Sequence, residues 1–356
     1  NAPASLRVWQ RSTRYQPPGY DDYQFGPMRG SAYETLLERD TTLSADSETA
    51  VRVPTEGNTD GQPAEIAWTG RVTSPAQQQI TGRTAAMLHP GQFYIGVQPA
   101  TSYLDLRETN QLTVDVITVA PNGRPEGDHA VTLELVRKEW NSVREVGTDG
   151  RMTWRSESTE VPVADTALVS QSDTAQRVAF AIPQGGLYEV RATAEDIRGN
   201  ALKTETTVYA SGAGYVPWQR QDGDQIELVT DQETYEPGDT ARIMVPSPFE
   251  EATALITVER DGILQSRVET LTGSAPQIEL DIEADYLPNV YVSVILLNER
   301  TAPPQPHADP GAPGFRVGYA TLPVDASARR VSVNITPDAD TYRPGETVTV
   351  DMQLRD

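Results

Sequence analysis

Three histidines, His89, His129 and His307, are the only imidazoles in this chain of 356 residues. A zinc site needs several ligands at short, patterned spacings, and nothing around these three supplies them. There is no cysteine. A thiolate metal site, a cysteine nucleophile and a disulfide scaffold are therefore excluded within these residues. No glycine-rich phosphate loop and no Gly-x-Ser-x-Gly elbow is present. The acidic pairs Asp21-Asp22 and Glu250-Glu251 lack calcium-loop spacing and read as solvated surface. A pair of carboxylates for glycoside hydrolysis is defined by its separation in space, so that class stays open. No cluster of aromatics marks a cleft for it. The residues call for no cofactor.

The elements that would hold any site are short strands. Pro (27) and Gly (26) are frequent and spread along the chain, as turns between many strands require. Helical periodicity is confined to 31–39, where Tyr33, Leu36 and Leu37 predict a short helix. Elsewhere the period is two. Leu112, Val114 and Val116 alternate with polar residues, as do Val131, Leu133 and Leu135. The runs 187–194, 204–209, 240–245, 254–259, 290–296 and 331–335 continue the series. Such alternation predicts strands with one buried and one wet face. Turn chemistry separates them at Asn122-Gly123, Asp149-Gly150, Arg198-Gly199-Asn200 and Asp261-Gly262, the last a two-residue hairpin signal. Trp9, Trp68, Trp140, Trp154 and Trp218 are scattered and read as core or module-interface residues. Trp218, just after a linker, is expected where two modules meet.

The net charge of −22 disfavours phosphate backbones and anionic lipid surfaces, so no nucleic-acid partner and no membrane-surface partner is expected. No apolar run approaches the roughly 20 residues of a membrane-spanning helix, so no direct membrane insertion is expected. The chain begins at Asn1 with no signal peptide and ends at Asp356 directly after a strand pattern, which predicts a piece of a longer protein.

An internal repeat organises the strands. Ile226-Glu227-Leu228 leads through Asp231 to Thr234-Tyr235-Glu236-Pro237-Gly238-Asp239-Thr240 and a strand. Val331-Ser332-Val333 leads through Asp338 to Thr341-Tyr342-Arg343-Pro344-Gly345-Glu346-Thr347 and another. A weaker copy without Pro-Gly runs from Tyr94 through Tyr103 to the strand at Leu112. Pro237 presets φ for a turn and Gly238 supplies positive φ, while Asp239 can bond nearby backbone donors. The tyrosine can cover the end of a sandwich with its hydroxyl reaching backbone or water. The spacing matches one immunoglobulin-like sandwich of ~100 residues. The fold class is therefore all-β: tandem immunoglobulin- or fibronectin-like antiparallel β-sandwich modules at 1–90 (irregular), 91–211 and 215–323, with a truncated further module at 330–356. Residues 211–214 read as a linker, and the Pro-rich stretch from Thr301 to Pro313 reads as an exposed loop.

From Gly214 onward the chain resembles the bacterial alpha-2-macroglobulins. The resemblance rests on Gly214-Tyr215-Val216-Pro217-Trp218, Tyr235 to Ile243, Ser247-Pro248-Phe249, Ala254 to Leu264, Tyr286 to Val294 and Phe315 to Tyr319. Upstream, Phe93-Tyr94-Ile95-Gly96-Val97 and Gly186 to Asp196 resemble the preceding macroglobulin-like module; before Pro90 the likeness is weak. The resemblance implies macroglobulin-like modules leading into a bait-region domain. It implies a non-catalytic structural segment of a broad-spectrum endopeptidase inhibitor of the bacterial periplasm, lipid-anchored in the parent. Such a protein would have target endopeptidases and its own neighbouring modules as partners. In that family a protease cuts a bait, the molecule rearranges and a thioester captures the attacker. Without cysteine, these residues hold neither thioester nor lipid anchor. The bait is expected beyond Asp356. A second candidate is the loop from Glu299 to Arg316, whose Pro-rich stretch is bracketed by Arg300 and Arg316. The alternative function is an immunoglobulin-like adhesion or surface stalk, which would show more uniform repeats.

Overall fold

The computed structural model describes residues 2–28, 32–43, 48–53, 61–74, 76–146, 152–212, 216, 218–219, 223–303, 311–327 and 332–355. Residues 1–221 and 222–356 form two compact units. The first holds thirteen strands among its described residues: β1 (Pro3–Ser12), β2 (Gln24–Phe25), β3 (Tyr33–Thr42), β4 (Ala64–Thr73), β5 (Gln79–Leu88), β6 (Tyr94–Pro99), β7 (Tyr103–Asp105), β8 (Gln111–Val119), β9 (Ala130–Val146), β10 (Met152–Val169), β11 (Gln176–Ala181), β12 (Gly186–Glu195) and β13 (Ala201–Ser211). A sheet in the order β11-β8-β6-β2 faces one in the order β10-β9-β12-β13-β7. Between them the alternating residues Leu112, Val114 and Val116 of β8 share a core with Leu133 and Leu135 of β9 and Tyr188 and Val190 of β12. Period-two patterning puts every second side chain of each strand into that core, which is why the sequence folds as a sandwich.

Among their described residues, 1–90 contribute one four-stranded sheet, β3-β1-β4-β5, and send β2 into the neighbouring sandwich. Phe25 of β2 is buried in a cluster with Tyr94, Ile117 and Val119, and Tyr15, Tyr20 and Tyr23 pack around it. Gly96 makes room for it: a Cβ there would lie 2.8 Å from the Phe25 ring. The next residue, Gly26, donates its amide to the buried Thr204 hydroxyl at 3.0 Å, and that hydroxyl donates to Ile95 O at 2.6 Å.

The short helix expected from Tyr33, Leu36 and Leu37 is instead strand β3, paired antiparallel to β1 from Pro3↔Thr42 to Arg11↔Tyr33. A bulge explains the misleading spacing. Val8 pairs with Leu37 and Trp9 with Thr35, so Leu36 is the extra residue and both leucines are half-buried together. One or two turns of isolated helix are marginal in water, whereas a strand gains a full ladder.

Strands β9 and β10 are longer than the sandwich needs. β12 pairs with β9 only as far as Lys138, and beyond it β9 and β10 continue together as a two-stranded ribbon. Trp140 and Trp154 lie on this ribbon. All five tryptophans are half-buried and none belongs to a core cluster. Trp218 packs on Tyr209 at 5.9 Å between ring centres, within the first unit. The expected turn at Asp149-Gly150 lies outside the described residues.

The second unit comprises β14 (Val229–Thr230), β15 (Thr240–Met244), β16 (Glu251–Glu259), β17 (Ile263–Thr272), β18 (Gln277–Asp281), β19 (Asn289–Asn298), β20 (Gly314–Pro323), β21 (Ser332–Pro337) and β22 (Val350–Arg355). The sheet β14-β15-β18 packs on β17-β16-β19-β20, with Ala241, Ile243 and Val245 facing Ala254, Ile256, Val258, Val292 and Val294. β21 and β22 form a separate antiparallel hairpin. The β16–β17 connection is longer than a two-residue turn. Glu259 pairs with Ile263 after a register shift at Val258/Glu259, and Arg260 N donates to Gly262 O at 3.0 Å. The bulge absorbs the extra residue.

Candidate functional site

The corner at Tyr235 is built from one carboxylate and one phenol. Tyr235 is 1% exposed. Its hydroxyl donates to Asp231 Oδ1 at 2.7 Å and accepts from the Gln232 amide at 3.3 Å. The same Asp231 oxygen accepts from Arg242 N at 3.0 Å, so it joins the turn to the first residues of β15. Asp239 Oδ2 accepts from Glu236 N at 2.8 Å and closes the Pro-Gly turn, where Gly238 has φ +103°. Burial, and then the hydrogen bond to Asp231, push the Tyr235 hydroxyl pKa well above its ordinary value, so it stays a donor. Turn and core cover were legible in sequence. Asp231 as the acceptor was not, although its place four residues before the tyrosine in the two stronger copies was the available signal.

The second copy reproduces these bonds at a constant offset of 107 positions, with Glu346 in the place of Asp239. Tyr342 donates to Asp338 Oδ1 at 2.5 Å, Ala339 N donates to the Tyr342 hydroxyl at 2.8 Å, and Thr349 N donates to Asp338 Oδ1 at 3.1 Å. Glu346 accepts from Arg343 N at 2.8 Å, and Gly345 has φ +91°. The Tyr342 bond, and then the Thr349 amide, hold the Asp338 carboxyl below the usual range. The weaker copy is built differently: the Tyr103 hydroxyl meets Ser211 Oγ.

Burial separates the two corners. On the β21–β22 hairpin, Val333, Ile335, Val348, Val350, Met352 and Leu354 form one apolar row, 47–65% exposed. The positions 107 residues earlier that match the first five are Ile226, Leu228, Ala241, Ile243 and Val245, all in or packed against the core of the second unit. The same local sequence is a finished sandwich edge in one place and an uncovered one in the other.

The structure separates the two bracketing arginines. Arg300 is exposed, two residues past the end of β19, and its guanidinium donates to Ala302 O at 3.2 Å. Arg316 lies inside β20, paired with Leu296. It is half-buried, 3.3 Å from Asp224 Oδ1, with its guanidinium 5.6 Å from the Phe249 ring centre. Residues 304–310 between them, including His307, lie outside the described residues. His89 and His129 serve packing. His89 Nδ1 bonds the Tyr94 hydroxyl at 2.7 Å, and burial lowers its pKa; His129 stacks on Phe93 at 3.7 Å. Among the described residues no three histidine, aspartate or glutamate side chains converge as a metal site. The pairs Asp21-Asp22 and Glu250-Glu251 are exposed.

One carboxylate in the first unit is strongly perturbed. Asp196 Oδ1 accepts from Arg198 N at 2.9 Å and Asn200 N at 3.0 Å, and Oδ2 accepts from Asn200 Nδ2 at 2.8 Å and Gln92 N at 3.1 Å. Desolvation raises its pKa, but these donors overcome it and hold the group down at about 2. It clamps the β12–β13 turn to the entry of β6, which is a structural duty.

Two family models match the chain. Residues 96–212 match the bacterial macroglobulin domain 6, and residues 226–355 match the alpha-2-macroglobulin bait region domain. Among curated proteins the chain is 25% identical over 245 residues to an alpha-2-macroglobulin homolog of Nostoc sp., covering 68% of this chain and 13% of that protein. It is 25% identical over 180 residues to the alpha-2-macroglobulin of Ralstonia nicotianae, covering 48% of this chain and 10% of that one. The chain thus spans only about a tenth of the length of these relatives. Among solved structures it resembles the native conformation of the Escherichia coli alpha-2-macroglobulin, with a TM-score of 0.47 and 17% identity, covering 99% of this chain and 23% of that one. The trypsin-activated form from Escherichia coli gives a TM-score of 0.43 and 16% identity, covering 99% of this chain and 23% of that one.

Proposed function

Because this chain belongs to the bacterial alpha-2-macroglobulin family, we propose that it is a structural, non-catalytic segment of an endopeptidase inhibitor that traps proteases after bait cleavage. The observation that carries this reading is the bait region domain match across 226–355. It covers both copies of the Asp-Tyr-Pro-Gly corner and everything between them. In this reading the sandwich within each unit is structural support, and the bait is the segment that a protease cuts.

Two places for the bait are consistent with that support. One is sequence following β22, where the hairpin's apolar row awaits the remainder of a sandwich. The other is the connection between β19 and β20. Those strands are laddered from Asn289↔Pro323 to Asn298↔Gly314, so a cut between them would leave both ends anchored. Proteases cut most readily at exposed positions outside regular structure. Arg300 is exposed and lies past the end of β19, whereas Arg316 is held in a ladder, so the Arg300–Thr301 bond is the cleavable one in this second placement.

Capture by thioester would use residues outside these 356, which hold no cysteine. A periplasmic location with a lipid anchor in the parent protein fits the same family reading. The test is to incubate the full-length protein with trypsin and follow hydrolysis of a large protein substrate. Loss of that hydrolysis, with cleavage of the inhibitor and a change in its hydrodynamic radius, is expected. Unimpaired hydrolysis with an intact inhibitor would defeat the proposal and favour the stalk reading.

A further inference from the structure

The outer face of the β17-β16-β19-β20 sheet breaks the rule that a sandwich is apolar inside and polar outside. The register places Val268, Leu255, Ile295 and Val317 side by side across all four strands, on the face away from the core. On one side of this row lie Leu297 and Phe315; on the other lie Tyr291 and Tyr319. Val268 is 67% exposed, Tyr319 63%, Leu297 50%, Tyr291 47% and Phe315 46%. The remaining positions on this face are serine and threonine, apart from Ile263, Asn289 and Pro323 at its margin, with charge only at the two ends of β16, Glu251 and Glu259.

This composition does not come with the fold. The matching outer face of the first unit is a lattice of charges. There Arg191 bonds Glu160 and Glu189, Lys138 pairs with Glu189, and Lys203 pairs with Glu205. In a chain of net charge −22, a four-strand face with no charge at its centre is an exception that calls for a cause. At ~4.8 Å between strands and ~3.4 Å per residue, its footprint is roughly 450 Å². The largest apolar patch on a typical monomer is of this order and is often functional.

We propose that this face is a permanent docking surface for another β-module of the same polypeptide. Two arguments select that occupant. Transient interfaces are about as polar as ordinary surface, while permanent ones lose charge and gain aromatic and aliphatic residues, as here. A tethered partner also keeps such a face covered at all times through its high effective concentration, which a free partner does not. The curated relatives supply the room for one, since this chain spans only 13% and 10% of their lengths. The inference stands on the sheet face alone and does not depend on protease trapping.

The absence of native cysteine makes the test clean in this chain. Val268→Cys and Tyr319→Cys report on the face, and Ile197→Cys, at a position 93% exposed in the other unit, is the control. Each is placed in the 356-residue chain and in the full-length polypeptide, with circular dichroism to verify folding. Maleimide modification of each engineered site is then followed by peptide mass mapping. The expected result is rapid labelling of all three in the 356-residue chain. In the full-length polypeptide, Val268→Cys and Tyr319→Cys should slow at least ~30-fold while Ile197→Cys does not change. Equal rates in both forms would show that nothing covers the face and would overturn the proposal. Protection in the 356-residue chain that grows with its own concentration would assign the face to a second copy, and would overturn it equally.

Discussion

Replacing Tyr235 by phenylalanine removes one oxygen atom from the second unit and leaves its packing volume almost unchanged. The strongest lost contact is a hydroxyl-to-carboxylate bond of 2.7 Å, made by a side chain 1% exposed, and the longer bond from the Gln232 amide goes with it. Bonds to charged groups contribute about 1.5–3 kcal/mol. Asp231 keeps the Arg242 amide at 3.0 Å, so the lower end, about 1.5 kcal/mol, is expected. With a urea slope of about 1.5 kcal/mol per M, the unit's midpoint falls by about 1 M. Tyr342→Phe removes the same bond from the second copy, but there the phenol is only half-buried and Asp338 exposed, so water replaces the contact. Its cost should stay within about 0.5 kcal/mol. The chain carries its own control. All five tryptophans lie at or before position 218, so tryptophan fluorescence reports the first unit alone, while circular dichroism reports both. Tyr235→Phe should shift the circular dichroism transition and speed amide exchange in β15 and β18, with the tryptophan transition fixed. Equal losses for Tyr235→Phe and Tyr342→Phe, or a shifted tryptophan transition, would refute the argument that burial decides the corner's worth.

Three further outcomes can be checked with single variants. Limited trypsin digestion of the native chain should cut between β19 and β20 at Arg300; Arg300→Gln should abolish that product and Arg316→Gln should leave it, whereas no cut there at all would remove this loop as a bait candidate. Asp196 is held at about 2, below the ordinary carboxylate value, so its stabilising effect is complete above about pH 4 and disappears as the pH falls toward 2. Asp196→Asn should therefore lower first-unit stability at neutral pH and flatten its decline between about pH 4 and 2, as read by tryptophan fluorescence in urea. Gly96→Ala would place a methyl 2.7 Å from Ile117 Cγ1 and 2.8 Å from the Phe25 ring. It should cost about 1–3 kcal/mol and raise amide exchange in β2; an unchanged β2 would mean that the Phe25 anchor is not what holds the strand.

The strands of both sandwiches were legible because alternation is a local property. Leu112, Val114 and Val116 need only a buried face, and any sandwich supplies one. The Pro-Gly corner was legible for the same reason, since φ preferences and short-range hydrogen bonds act over four or five residues. The bracketing arginines were only half legible. Their exposure depended on where β20 begins, and the ladder with β19 placed Arg316 inside it.

By itself the sequence determined the all-β class, the repeat that reappears at an offset of 107, and the absence of thiol chemistry within these residues. It could not choose between helix and strand at Tyr33 to Thr42, because that choice was made by β1, more than twenty residues away. Nor could it send β2 across to the sandwich of β6, where Gly96 and Thr204 receive it. Leu255 and Ile295 alternate with core residues in the chain as ordinary outward positions do. Only the pairing of four strands set them beside Val268 and Val317 and made an apolar face. Periodicity says which side chains share a face, but long-range pairing decides what that face becomes.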